Sequence, residues 1–308
     1  MIAAVETAAL QVIQNARRFN DSETLWFPAL HNIERWWSPP TLHALARLFA
    51  ALRAVDETPV QDLLRVAFCR VVIQWSNAAF NHQSMSFKDS AQLSLNCAED
   101  HAETIYHAFA QQVRAVLRGI HEPLLTSVEV RQQDSRQVPT EQRYDCVITS
   151  PPYPNRMSYI RELRPYMYWL GYLQEAREAG ELDWQAVGGT WGIATSRLQN
   201  WQPEDDGFPL LTEITTAIHQ HSPLLARYIR KYFEDIATHL RSLYDALLPG
   251  ARLYYIIGNS KFYDTVVPVE QLYAALLAQY GYHSLHIETI RKRSSKKELF
   301  EYVVSCQK

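Results

Sequence analysis

Residues Asp145 to Tyr153 read DCVITSPPY, and the change of character inside this stretch decides the fold. Cys146 to Ile148 is a short apolar run with β-branched residues at two of its three positions, the signature of a buried strand. Thr149, Ser150, Pro151, Pro152 and Tyr153 end it abruptly. Proline lacks an amide donor and fixes its own φ, so a proline pair stops the ladder and leaves a stiff loop at the carboxyl edge of the strand. That edge is where open α/β sheets place their chemistry. The loop offers hydroxyls, carbonyls and one aromatic ring, a set suited to a flat polar ring bearing an amino group. A plain tight turn is the alternative reading of the same residues.

The chain has 308 residues and 47% hydrophobic content, enough for a substantial core in one large domain plus an insertion. A net charge of −3 excludes a generally basic nucleic-acid coat. It does not exclude DNA binding, because phosphate contacts need only a local positive field. Four cysteines, Cys69, Cys97, Cys146 and Cys306, are widely separated and lack metal-ligand spacing, so no metal is expected. They read as thiols in a reducing compartment. With no signal peptide and no apolar segment of spanning length, a soluble cytoplasmic protein is expected, away from membranes.

The first 122 residues read as a helical segment, with apolar periodicity over Ile2–Ala16, Thr41–Val55, Val60–Trp75 and His101–Leu117. Between the first two helices, Phe19 to Pro40 carries Trp26, Phe27, Trp36 and Trp37, rings that either stack bases or form a lid packed on the core. The polar loop Ser76–Cys97, with Lys88, either meets a phosphate backbone or is a solvated connector. Ser127 to Val130 alternates as a short strand before a turn at Asp134. Past the proline loop, Arg156, Arg161 and Arg164 stand among aromatic residues, a combination suited to a nucleic-acid backbone and an extruded base. The Gly188–Gly192 stretch lacks the context of a phosphate loop and reads as a flexible turn. The polar region 181–209 reads as a turn-rich, DNA-facing insertion. Leu224–Leu248 reads as a helix, Leu253–Ile257 as a buried strand and Val269–Ala278 as a helix. His283–Ile290 and Phe300–Cys306 read as final strands. Their connector holds Arg291, Lys292, Arg293, Lys296 and Lys297, the best backbone-binding tract in the chain.

Ser150-Pro151-Pro152-Tyr153 resembles motif IV of the DNA amino-methyltransferases, in the serine form of the cytosine-N4 group. The similarity runs on through Asn155–Tyr159, Leu170-Gly171-Tyr172, Leu248-Pro249-Gly250 and Gly258-Asn259-Ser260, about half the chain. The resemblance implies an α/β fold with a Rossmann-like methyltransferase sheet, its catalytic region spanning 123–308. It implies transfer of a methyl group from S-adenosyl-L-methionine to a cytosine flipped out of double-stranded DNA. Ser150, Pro151, Pro152 and Tyr153 would form the catalytic pocket, and Asp134, Thr149 and Asn259 would lie against the cofactor. Arg156, Arg161 and the basic connector would hold DNA.

This sequence departs from the family by lacking the glycine-rich loop that approaches the methionine part of the cofactor, and the acidic ribose ligand after the next strand. The sheet is therefore expected to be incomplete, with two strands missing between those around Val128 and Val147. A strand stripped of a neighbour leaves unpaired backbone groups at a cost of about 1–3 kcal/mol each where buried. A complementary protein chain carrying the missing strands would solve both problems, making this the catalytic part of a divided enzyme. The alternatives are an adenine-N6 enzyme, a degenerate cofactor loop, or a noncatalytic DNA-binding protein derived from the fold.

Overall fold

The computed structural model describes residues 1–20, 24–79, 86–88, 101–120, 125–190, 192–203, 208–293 and 298–308. It divides into two compact units, Met1–Glu129 with Ile160–Ala179, and Val130–Tyr159 with Gly180–Lys308.

The first unit is helical. Its elements are α1 (Ile2–Arg18), α2 (Ile33–Trp36), α3 (Pro39–Arg53), α4 (Thr58–Gln74) and α5 (His101–Arg118), followed by α6 (Tyr159–Trp169) from Ile160 onward. A two-stranded ladder joins β1 (Ala78–Ala79) to β2 (Ser86–Phe87). Pro39 and Pro40 open α3, where a fixed φ suits the first turn and a missing amide costs nothing. The core of this unit is aromatic. Trp169, the last residue of α6, is fully buried among Trp26, Trp37, Phe49 and Phe68, with ring centroids 5.4 to 6.1 Å away. The Trp37 indole donates to the Val72 carbonyl at 2.9 Å. Of the tryptophans between Phe19 and Pro40, Trp36 and Trp37 are thus core, while Trp26 remains 42% exposed. Most of the loop 76–97 lies outside the described residues; Lys88, within them, donates to the Ser76 carbonyl at 2.9 Å.

The second unit is a mixed α/β body around a four-stranded sheet. Its strands are β3 (Tyr144–Thr149), β4 (Leu247–Gly258), β7 (His283–Lys292) and β8 (Phe300–Gln307), in the order β3-β4-β8-β7. β3 and β4 are parallel; β8 is antiparallel to both its neighbours. Between β4 and β7 come a hairpin of β5 (Ser260–Phe262) with β6 (Thr265–Val267), and α11 (Val269–Gln279). Helices α7 (Ala176–Gln185), which belongs to this unit from Gly180 onward, α8 (Ile193–Asn200), α9 (Pro209–His219) and α10 (Pro223–Ala246) precede β4. Ser222 caps α10 by accepting the Leu225 amide, and Pro223 follows at the first helical position.

One face of the sheet carries the core. Leu253, Tyr255, Ile257, Val304 and Cys306 are buried with Ile229, Phe233, Ile236 and Leu240 of α10 and Leu272 and Leu276 of α11. On β3 the period of two puts Val147 on this face and Cys146 and Ile148 on the other, opposite Arg252 and Tyr254. Ile148 is 72% exposed, and among the described residues β3 has no partner on its second edge.

Several expectations need correction. Ser127 to Val130 forms no strand: Val128 and Val130 are 61% and 90% exposed, and without a neighbouring ladder an alternating stretch has nothing to pair with. Segment 181–209 is not simply turn-rich, since α8 and much of α7 lie in it and Trp184, Val187, Leu198 and Trp201 pack into the core. Its glycine stretch is a tight closure rather than a flexible turn. A Cβ on Gly189 would stand 1.6 Å from the Asp183 carbonyl oxygen, so only glycine lets the backbone pass over α7. Arg291 and Lys292 belong to β7, because the pairing of Arg291 with Glu301 carries the ladder beyond Ile290.

Truncation of Trp169 to alanine should destabilise the first unit by about 3–5 kcal/mol, the usual cost of emptying a buried indole site. Urea unfolding of the variant tests this; a loss below about 1 kcal/mol would remove the aromatic cluster as the core of that unit.

Candidate functional site

The parallel pairing of β3 with β4 brings the proline loop to the end of β4. Thr149 lies opposite Tyr255, half-buried, so Ser150 to Tyr153 run out alongside Gly258 and Asn259. Gly258 is register-paired with Glu301 of β8, and Glu301 in turn with Arg291 of β7. Because Gly258 has no side chain, the Tyr153 ring can lie over it. A Cβ there would be 2.8 Å from both the ring and the Arg293 guanidinium. Across this gap the Tyr153 hydroxyl donates to Glu301 Oε1 at 2.7 Å, and Arg291 Nε donates to Glu301 Oε2 at 2.6 Å. Ser150 is exposed beside it.

Arg293 lies over the Tyr153 ring, 5.4 Å from its centroid, and donates to the Asn259 carbonyl at 2.8 Å. Its reach fixes one face of the ring with a cation. The Asn259 side chain is 4% exposed and committed: its Oδ1 accepts the Phe300 amide at 2.8 Å and its Nδ2 donates to the Glu298 carbonyl at 2.9 Å.

From below, the loop is held by phenols of α10. Tyr232 donates to the Pro152 carbonyl at 2.7 Å and lies 3.1 Å from the Tyr273 hydroxyl. The Tyr228 hydroxyl accepts the Arg156 amide at 3.1 Å, and Arg156 itself is left-handed at φ 63°. The Ser158 hydroxyl donates to Asp183, a fully buried carboxylate under the Gly189 closure. Burial pushes Tyr228 and Tyr232 far above the ordinary phenol range, so both stay neutral. Tyr153 is pushed up to about 12, by burial first and by the Glu301 carboxylate second. Glu301 moves the opposite way, held below the usual carboxylate range by Arg291 and then by the Tyr153 hydroxyl.

The other sequence candidates fall in different places. Asp134 lies in a turn where its carboxylate accepts the Arg136 amide at 2.9 Å and pairs with the Arg136 guanidinium, which also reaches Asp235 at 2.7 Å. It lines a cavity of about 500 Å³ with Gln132, Gln185 and Val187. Arg161 sits on α6 in the first unit. Lys292 is exposed on β7, while Lys296 and Lys297 lie outside the described residues. No group of metal-ligating side chains occurs among the described residues, and none of their helices is long and apolar enough to cross a membrane. Glu301, Tyr228, Tyr232 and Asp183 were not singled out by sequence. The two tyrosines sit at i, i+4 on an apolar helix face, and Glu301 lies in the final strand, positions that carry no local signal of function.

The Glu301 shift has a definite sign. A depressed carboxylate contributes stability that is present above its unfolded pKa and is lost as pH falls through its folded value. Glu301→Gln should therefore lower stability at neutral pH. The gap to the unmodified protein should close as pH drops through and below the ordinary glutamate range. Urea midpoints across that range check it; a gap independent of pH would mean the ion pair contributes nothing.

No family model and no solved structure matches the chain. It is distantly similar to the type II methyltransferase M.BsoBI of Geobacillus stearothermophilus, 22% identical over 181 residues. The similarity covers 52% of this chain and 36% of that protein, so the chain spans little more than a third of the relative's length.

Proposed function

We propose that this chain is the target-binding part of an enzyme that methylates the exocyclic N4 of cytosine in double-stranded DNA. The observation that carries the reading is the acceptor geometry of the loop. Ser150 is exposed at the carboxyl edge of a parallel strand, and the Pro152 carbonyl is taken by Tyr232. Among the described residues no donor bonds the Pro151 carbonyl. Two acceptors beside an aromatic ring suit an extruded base presenting an amine. The distant similarity to a type II methyltransferase supports methyl transfer as the reaction. Serine at position 150 favours cytosine, on the resemblance to the N4 group.

Ser150 and the Pro151 carbonyl accept from the amine hydrogens, which orients the nitrogen and draws electron density onto it. The Tyr153 ring supports the base beside the loop. Arg156, Arg161, Lys292 and the basic tract out to Lys297 contact phosphates.

S-adenosyl-L-methionine supplies the electrophilic methyl group in this reading. The described residues do not build its pocket by themselves. Asp134 is closed on Arg136, the Asn259 amide is committed to the β7–β8 hairpin, and no glycine-rich strand end faces the loop. The open edge of β3, with Ile148 exposed beside it, is where strands from a complementary protein chain would join and bring that pocket.

The test is co-expression with a chain carrying a glycine-rich strand end, followed by mass spectrometry of nucleosides from the exposed DNA. N4-methyldeoxycytidine is expected, reduced roughly tenfold to hundredfold by Tyr153→Ala through lost stacking. Appearance of N6-methyldeoxyadenosine instead would move the target to adenine. A folded pair that binds the methyl donor yet yields neither product would leave a noncatalytic DNA-binding protein.

A further inference from the structure

Arg291, Lys292 and Arg293 read as one basic tract, and the structure takes it apart. Strand alternation sends Lys292 to the opposite face from Arg291. Arg291 and Arg293 both reach the Tyr153–Glu301 pair, but they bond different groups. Arg291 holds a carboxylate: its Nε donates to Glu301 Oε2 at 2.6 Å, while Glu301 Oε1 accepts from the Tyr153 hydroxyl at 2.7 Å. Arg293 is held by neutral groups, the Asn259 carbonyl at 2.8 Å and the Tyr153 ring at 5.4 Å from its centroid. Among the described residues Arg293 is in no ion pair.

We propose that the two arginines divide the work: Arg293 is the phosphate contact beside the loop, and Arg291 contributes none because Glu301 cancels it, a built-in restraint on affinity for DNA. This rests on reading the chain as one that binds DNA and adds which of its cations do so. Access does not separate the two roles, since the Arg291 side chain is 70% exposed. Net charge does. Phosphate binding is driven by the counterions that uncompensated cations release. A guanidinium bonded to a carboxylate at 2.6 Å presents little net charge to a phosphate arriving from solvent.

The surroundings keep the restraint in place. Arg291 first, and then the Tyr153 hydroxyl, hold Glu301 below the usual carboxylate range, so it is ionised at neutral pH. The Glu301 side chain is 13% exposed, and giving Arg291 up to a phosphate would strand a carboxylate that water reaches poorly. Arg293 has no such tie: it acts on Glu301 through space only, and less than Arg291 does. Its position is set by its own amide, which donates to the Leu299 carbonyl at 2.8 Å, and by Gly258, where a Cβ would stand 2.8 Å from its guanidinium. A cation held by neutral groups is thereby fixed next to the ring that supports the base in the proposed function.

The test is binding of an oligo(dA)·oligo(dT) duplex, which has no cytosine to enter the loop, to the full chain over a range of salt. Arg293→Gln should weaken binding roughly threefold to tenfold at about 0.1 M salt and reduce the salt slope by about 0.9, the share of one phosphate contact. Glu301→Gln should tighten binding by a similar factor and steepen the slope, because it releases the charge of Arg291. Glu301→Gln combined with Arg291→Ala removes the pair together, strands no charge and should bind as the unmodified protein does, which covers the case of a single variant that does not fold. Glu288→Gln removes an exposed carboxylate of β7 and should give a much smaller gain, separating local cancellation from net charge. The inference is overturned if the double variant loses as much affinity as Arg293→Gln, if Arg293→Gln leaves the slope unchanged, or if folded Glu301→Gln gains no more than Glu288→Gln. In each of these events N4-methyldeoxycytidine from the reconstituted pair would still uphold the proposed function. Binding of the duplex by none of these proteins would count against both.

Discussion

Everything at the candidate site depends on one strand pairing, β3 beside β4 in parallel, with Thr149 opposite Tyr255. That register carries Ser150 to Tyr153 to the end of β4 and lets Tyr153 lie over Gly258 toward Glu301. A slip of one residue would exchange the faces of β3, turning Val147 out of the core and Ile148 into it. Parallel pairing is held by slanted hydrogen bonds and by burial rather than by a hairpin, and here burial comes from one side only. The strand that positions the chemistry is therefore an edge strand, supported by the core on one face only.

The loop is gripped by two kinds of interaction. Beneath it, Tyr228 and Tyr232 are neutral phenols whose partners are backbone groups of the loop. Burial keeps them protonated, so this grip is insensitive to ionic strength and to pH in the neutral range. Toward solvent, Tyr153 is tied into Glu301, Arg291 and Arg293, a charged row on β7, β8 and the residue just past β7. That row is open to screening by salt and to competition from phosphates. The backbone of the loop is thus set by the core, while its aromatic side chain answers to the ionic surroundings.

The sequence was informative where periodicity and punctuation agree. The helices of the first 122 residues, the strand before Pro151, the buried run Leu253–Ile257 within β4 and the final hairpin all have strong local signals. Gly258 and the proline loop are brought together by the pairing of β3 with β4. What was not legible depended on distant partners. Ser127 to Val130 has strand composition but no ladder to join. The region 181–209 looked polar because its few apolar residues, Trp184, Val187 and Leu198 among them, are spread over two short helices. Arg291 and Arg293 read as a charge run, yet their roles come from Glu301 and Tyr153, far away in sequence or on another strand. No local rule reveals that an acid in an alternating strand sits across from a glycine.

The first unit is discontinuous in the chain, closed by residues that follow the proline loop. This has a consequence for the order in which the protein is made. When residues up to Glu129 have emerged from the ribosome, Trp26, Trp37, Phe49 and Phe68 surround a space the size of an indole with nothing to fill it. The ring that fills it arrives only with Trp169, after β3 and the whole Ser150–Tyr153 loop have been synthesised. The nascent helices must wait with apolar surface uncovered, an interval in which large chains are prone to mispairing. Synthesis of the chemical loop therefore precedes closure of the helical unit, and a fragment cut before residue 160 would leave that core hollow.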